Sequence, residues 1–208
     1  MSLILVLSLC IDTFVASIAY GSDNIKIPFK TAFLINLICT SFLGFSLLVG
    51  YLLKDLLSSN TATIFSCGLL FMLGIYKVFE AFIKDYLKKF THNQTPINFS
   101  LFDFEFVLEV YADEIKADYD NSKTLSPKEA IYLASALSLD SLAVGFGASL
   151  SDVNHFEVII LSFVIGTLSI LSGVLLGKSF RKFSNINFTW VSGVLLITLS
   201  FIKFFGQH

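Results

Sequence analysis

Cys10-Ile11-Asp12-Thr13-Phe14-Val15-Ala16-Ser17 and Leu137-Ser138-Leu139-Asp140-Ser141-Leu142-Ala143-Val144-Gly145 each set one aspartate in the middle of an apolar run long enough to cross a bilayer. An ionised carboxylate at the centre of a spanning helix costs at least about 2.5–3.5 kcal/mol. One such residue is tolerable where it faces a bundle interior. Two, at matching places in the two halves of the chain, point to a protein built around them.

Composition agrees. Of the 208 residues, 55% are hydrophobic and 14% charged, against about 25% charged in an ordinary soluble domain. These proportions define an integral membrane protein. Cys10, Cys39 and Cys67 all lie within apolar runs, so they read as reduced packing residues and not as a disulfide framework. No Lys or Arg precedes the first run and no small-x-small site follows it, which speaks against a cleaved leader.

Six apolar runs can be marked off at 2–20, 31–53, 61–83, 129–150, 156–177 and 188–205. As helices they approach or exceed the ~30 Å hydrocarbon core. The runs are continuous, without the two-residue alternation of a membrane β-barrel. Twelve of the fourteen Lys and Arg residues fall on one side if the N-terminus is placed outside, leaving only Lys54 and Lys203 on the other. Positive residues mark the cytoplasmic face, so both termini are expected outside and the segment 84–128 inside.

The halves also match each other. Asp12 pairs with Asp140, Gly50 with Gly177, and Ser66-Cys67-Gly68-Leu69-Leu70 with Val191-Ser192-Gly193-Val194-Leu195. Three helices per half make the second half enter from the opposite side, the inverted repeat common among secondary transporters. The expected fold is therefore an all-α membrane protein of six transmembrane helices. Two inverted three-helix repeats, 1–83 and 129–208, are joined by an acidic cytoplasmic insert, 84–128.

Within the insert, residues 98–110 alternate Phe102, Phe104, Phe106 and Leu108 with Asp103, Glu105 and Glu109, the pattern of a short strand or of a segment lying on the membrane. Asp118-Tyr119-Asp120-Asn121-Ser122-Lys123-Thr124-Leu125-Ser126-Pro127-Lys128-Glu129 follows the twelve-residue calcium loop of an EF-hand, with Asp118, Asp120, Ser122, the Thr124 carbonyl and Glu129 as Ca²⁺ ligands. The departure is Lys123, where glycine makes the sharp turn; a lysine there needs a positive φ. Ser126-Pro127-Lys128-Glu129 is at the same time a helix start, with Ser as N-cap, Pro at N1 and Glu at N3. The two readings are compatible.

Asp12 and Asp140 are the first candidates for a metal site, with the neighbouring hydroxyls of Thr13, Ser138 and Ser141. Asn36, Thr40 and Ser41 in the second run could add oxygens, and Glu80 could stand at an inner mouth. Lys77 and Glu80, three apart, read as a snorkelling pair at the inner end of the third run. The small residues Ser162, Gly166, Gly173 and Gly177 in the fifth run read as helix packing. The sequence carries no phosphate-cradling glycine loop, no catalytic dyad and no nucleic-acid signature, so transport would be driven by an ion or proton gradient and no enzyme is expected.

Asp-Thr-Phe-Val-Ala-Ser at 12–17, Ala-Leu-Ser-Leu-Asp-Ser-Leu-Ala-Val-Gly at 136–145 and the stretches around Gly68 and Gly193 resemble the manganese efflux pump (MntP) family. The acidic insert is similar to the branch called sporulation membrane protein YtaF. The resemblance implies a six-helix protein of the LysE-like superfamily in the bacterial plasma membrane, with Mn²⁺ as the exported substrate and the family's aspartates at Asp12 and Asp140. It also implies an acidic residue in the second run, which this chain lacks. Two other functions stay open: a non-transporting sporulation protein with a Ca²⁺-responsive loop, and an exporter of a small organic cation or amino acid. The expected partners are the bilayer and a divalent cation, with no nucleic acid; oligomeric assembly is left open.

Overall fold

The computed structural model of the chain describes residues 2–54, 59–91, 104–150 and 154–179, with positions 194, 196–198 and 200–202. Among these the secondary structure is helical, apart from a single bridge between Lys26 and Thr124. The helices are α1 (Ser2–Ser22), α2 (Phe29–Lys54), α3 (Ser59–Thr91), α4 (Phe104–Ala112), α5 (Pro127–Ser149) and α6 (His155–Ser179). A 3₁₀ turn, Glu114–Ala117, lies between α4 and α5.

α1, α2, α5 and α6 are each long and apolar enough to cross a membrane, and α3 contributes a shorter apolar stretch, Ile64–Phe79. They coincide with the first five apolar runs to within two residues, except that α3 continues to Thr91. The sixth run falls largely outside the described residues. Large apolar side chains face outward: Phe45 is 64% exposed, Met72 74% and Leu168 61%. Such a surface suits hydrocarbon and would be a liability in water.

Lipid is as apolar as leucine, so membrane helices associate through close packing of small residues. α1 lies parallel to α6, with Ser2 bonded to Glu157 at one end and Ile18 and Gly21 against Gly177 at the other. A Cβ at Gly173 would come within 2.7 Å of the Ser17 Cβ and 2.8 Å of the Phe14 carbonyl. α2 lies parallel to α5 in the same manner: Ser46 bonds the Leu142 carbonyl and packs on Gly145, and Gly50 meets Ser149. α2 also crosses α6, where Asn36 sits over Gly166. α3 packs on α5 through Leu69 and Leu70 against Gly147, and Ser66 donates to the Gly147 carbonyl.

Two apolar clusters result. One, near the Lys26 end, holds Tyr20, Ile25, Ile35, Phe106, Val110, Leu125, Tyr132 and Ile170. The other, toward the Ser2 end, holds Leu5, Val6, Leu43, Leu47, Leu70, Val144 and Val158.

The insert corrects one expectation. Residues 104–112 form α4, not a strand; positions 98–103 lie outside the described residues. Beneath the Phe alternation runs a helical period: Phe106 and Val110, four apart, are both buried, and Phe106 meets Tyr119 and Tyr132 edge-on. Residues four apart lie on one face of a helix, and that face is the one α4 buries.

Candidate functional site

Asp12 is the central residue of α1, and Asp140 and Lys77 lie within three residues of the midpoints of α5 and α3. Along α1 and α5 the aspartates fall between the two apolar clusters, and along α3 Lys77 follows Leu70 of the second cluster. The Lys77 Nζ donates to Asp12 Oδ2 at 2.7 Å and to Asp140 Oδ2 at 2.5 Å. Lys77 is 3% exposed, and the aspartate side chains are 13% and 15% exposed. Three helices thus bring their charges to one nitrogen. Buried charges persist in such a setting only when paired and hydrogen-bonded.

Lys77 therefore does not snorkel: its four-carbon stem carries the ammonium inward to the carboxylates. The Glu80 side chain lies outside the described residues. Lys77 stands near the end of an apolar run, where snorkelling is the usual use of a lysine, so the sequence does not single it out as a site residue. A signal was nevertheless present, since an ammonium embedded in an apolar run demands a counter-charge just as the aspartates do.

The auxiliary oxygens are dispersed. Successive residues on a helix turn by about 100°, so Thr13 and Ser141 lie about that far round their helices from Asp12 and Asp140. Ser138 is buried and returns its hydroxyl to the Ser135 carbonyl at 2.8 Å. Asn36 donates to the Phe163 carbonyl at 2.5 Å and the Thr167 hydroxyl at 2.7 Å, tying α2 to α6. It serves as interhelical glue. Ser41 is exposed and bonds back to Leu37, while Thr40 is buried.

The second constellation is the loop 118–129. Oxygens of Asp118, Asp120 and Glu129 lie within 4.8 Å of one another. Lys123 adopts φ 60°, the positive value its position requires, and Asn121 has φ 53°. The capping box is formed: Ser126 Oγ accepts from the Glu129 amide, and Glu129 Oε2 accepts from the Ser126 amide at 2.8 Å. Burial raises the Asp118 carboxyl above its usual range. Hydrogen bonds from the Ser122 hydroxyl and amide hold Asp120 below it.

Four apolar helices of spanning length and a shorter apolar stretch, with two carboxylates and an ammonium in contact between three of the helices, define a polytopic membrane protein. Residues 78–203 match the family model described as "Putative manganese efflux pump". The chain belongs to that family. It is 26% identical to the "Probable sporulation protein YtaF" of Bacillus subtilis over 97% of both chains. It is 27% identical to a "Putative manganese efflux pump MntP" of Clostridium botulinum strain Loch Maree, covering all of this chain and 94% of the relative. A "Putative manganese efflux pump MntP 2" from strain Hall of that species is 36% identical over 47% of this chain and 49% of its own. No solved structure matches. The family places this chain among metal-efflux transporters.

Proposed function

We propose that the chain is a six-helix secondary transporter that exports a divalent cation, Mn²⁺ first among the candidates, through a site built on Asp12 and Asp140. The observation that carries this reading is the placement of both carboxylates within hydrogen-bond reach of one nitrogen. The Lys77 ammonium stands where a bridging dication would sit. Carboxylate and hydroxyl oxygens suit manganese, and Thr13 and Ser141 are the hydroxyls next in sequence to the two carboxylates. The relatives named for manganese efflux point to the same ion.

An inverted repeat is supported by contacts that recur. Asp12 and Asp140 differ by 128 positions, and Ser17 and Gly145 by the same number. Ser17 packs on Gly173 of α6, and Gly145 packs on Ser46 of α2, the counterpart helix. Likewise Gly21 meets Gly177, and Ser149 meets Gly50. Each half lends one helix to the other's partner, as a two-fold axis in the membrane plane requires. With Lys77 counted as buried, eleven Lys and Arg residues remain on the proposed cytoplasmic side against two outside, which favours both termini outside.

The full-length similarity to a protein named for sporulation favours a second reading, a membrane protein that does not transport. One experiment separates the two. In a strain lacking its manganese exporter, the wild-type chain is expected to restore growth in high manganese and lower cell manganese. Asp12→Asn and Asp140→Asn are expected to reach wild-type membrane levels without doing either. Full resistance in the double variant would remove the transport reading.

A further inference from the structure

Two of the three carboxylates in the loop 118–129 have structural uses. Glu129 caps α5 and accepts from the Tyr119 amide at 3.0 Å, and Asp120 accepts from the Ser122 amide at 2.9 Å. Asp118 is different. It is 5% exposed; its Oδ2 accepts from the Lys123 amide at 3.2 Å, while its Oδ1 is buried with no hydrogen-bond partner. A desolvated carboxylate oxygen left unpaired is unfavourable and calls for a missing partner. Of the loop's two lysines, Lys123 is drawn elsewhere, its Nζ 3.8 Å from Asp23 Oδ2.

We infer that the loop binds Ca²⁺, with Asp118, Asp120 and Glu129 as carboxylate ligands and the Ser122 hydroxyl and Thr124 carbonyl completing an oxygen shell. Carboxylate oxygens that accept one amide keep lone pairs for a metal. A flexible loop offering five or more oxygens favours Ca²⁺ over Mg²⁺, which demands near-octahedral geometry and holds its waters. The Lys123 carbonyl and the Leu125 amide fix the loop in place: the Lys26 amide donates to the Lys123 carbonyl and the Leu125 amide to the Lys26 carbonyl, both at 2.9 Å. The ion would thus sit at the joint between the α1–α2 turn and the start of α5, the helices that carry Asp12 and Asp140. This site is independent of the transport reading and of the intramembrane carboxylates.

The test uses the full-length protein in detergent, carrying Asp12→Asn and Asp140→Asn so that the intramembrane site is silent. Tb³⁺ luminescence sensitised by Tyr119 reports the loop. One Tb³⁺ per chain is expected, displaced by Ca²⁺ at about 10⁻⁴–10⁻³ M and by Mg²⁺ only at higher concentration. Asp118→Asn and Asp120→Asn, with unchanged circular dichroism and elution, should each weaken binding by about tenfold or more, since affinity follows ligand charge. Lys123→Gly should tighten it by removing a positive charge and a strained φ. No Ca²⁺-displaceable signal in either the parent or Lys123→Gly would overturn the site. So would affinity unchanged by Asp118→Asn, or displacement by Mg²⁺ as readily as by Ca²⁺.

Discussion

Lys77→Met keeps the buried stem and removes the charge, so it isolates what the ammonium does. Two carboxylates and one ammonium leave one net negative charge among these three groups; without the lysine, two carboxylates face each other in a site that is 13–15% exposed. Removing one partner of a buried ion pair costs about 3–5 kcal/mol. For a chain of this length that corresponds to a fall in Tm of about 6–20 °C in metal-free detergent. If Mn²⁺ takes the ammonium's place, the ion should restore much of the loss: at 100 times Kd, binding adds about 2.7 kcal/mol. Wild-type protein should respond less, because there the ion must displace Lys77 first. The assay is thermal unfolding by tryptophan fluorescence, with and without Mn²⁺. A Lys77→Met protein that melts like wild type would show that the contact contributes little. One that is destabilised but gains no more from Mn²⁺ than wild type would refute the view that ammonium and dication share a position.

Gly177→Ala should destabilise by about 1–3 kcal/mol, the usual cost of overpacking, because its Cβ would meet Gly21 Cα and Ser22 N at 2.9 Å; Gly68→Ala, with nothing within 4 Å, should not, and the two Tm values compared side by side decide it. Ser126→Ala removes the N-cap of α5 and should cost about 1 kcal/mol, visible as faster amide exchange at 128–130. In intact cells a cysteine at exposed Asn154 should react with an impermeant thiol reagent while one at exposed Lys128 is shielded; the reverse pattern would overturn the orientation.

Much of this protein was legible along the chain because its strongest signals are local. Hydrophobic length marks a spanning helix without any knowledge of its neighbours, and five runs predicted helices whose ends differ little from those observed, α3's C-terminal extension apart. The start of α5 follows from Ser126, Pro127 and Glu129 alone, since a cap is made by residues three apart. The positive φ of Lys123 was written in the loop's spacing, and the paired aspartates announced themselves by the cost of burying charge. What the chain could not disclose is direction. Hydropathy is one-dimensional and does not say whether Lys77 faces lipid headgroups or carboxylates 65 and 63 residues away. Nor does it say whether Asn36 offers its amide to an ion or to α6, or whether residues 104–112 run as a strand or as a helix. Those choices depend on which neighbouring helix lies alongside, and only the packing of the helices against one another set them.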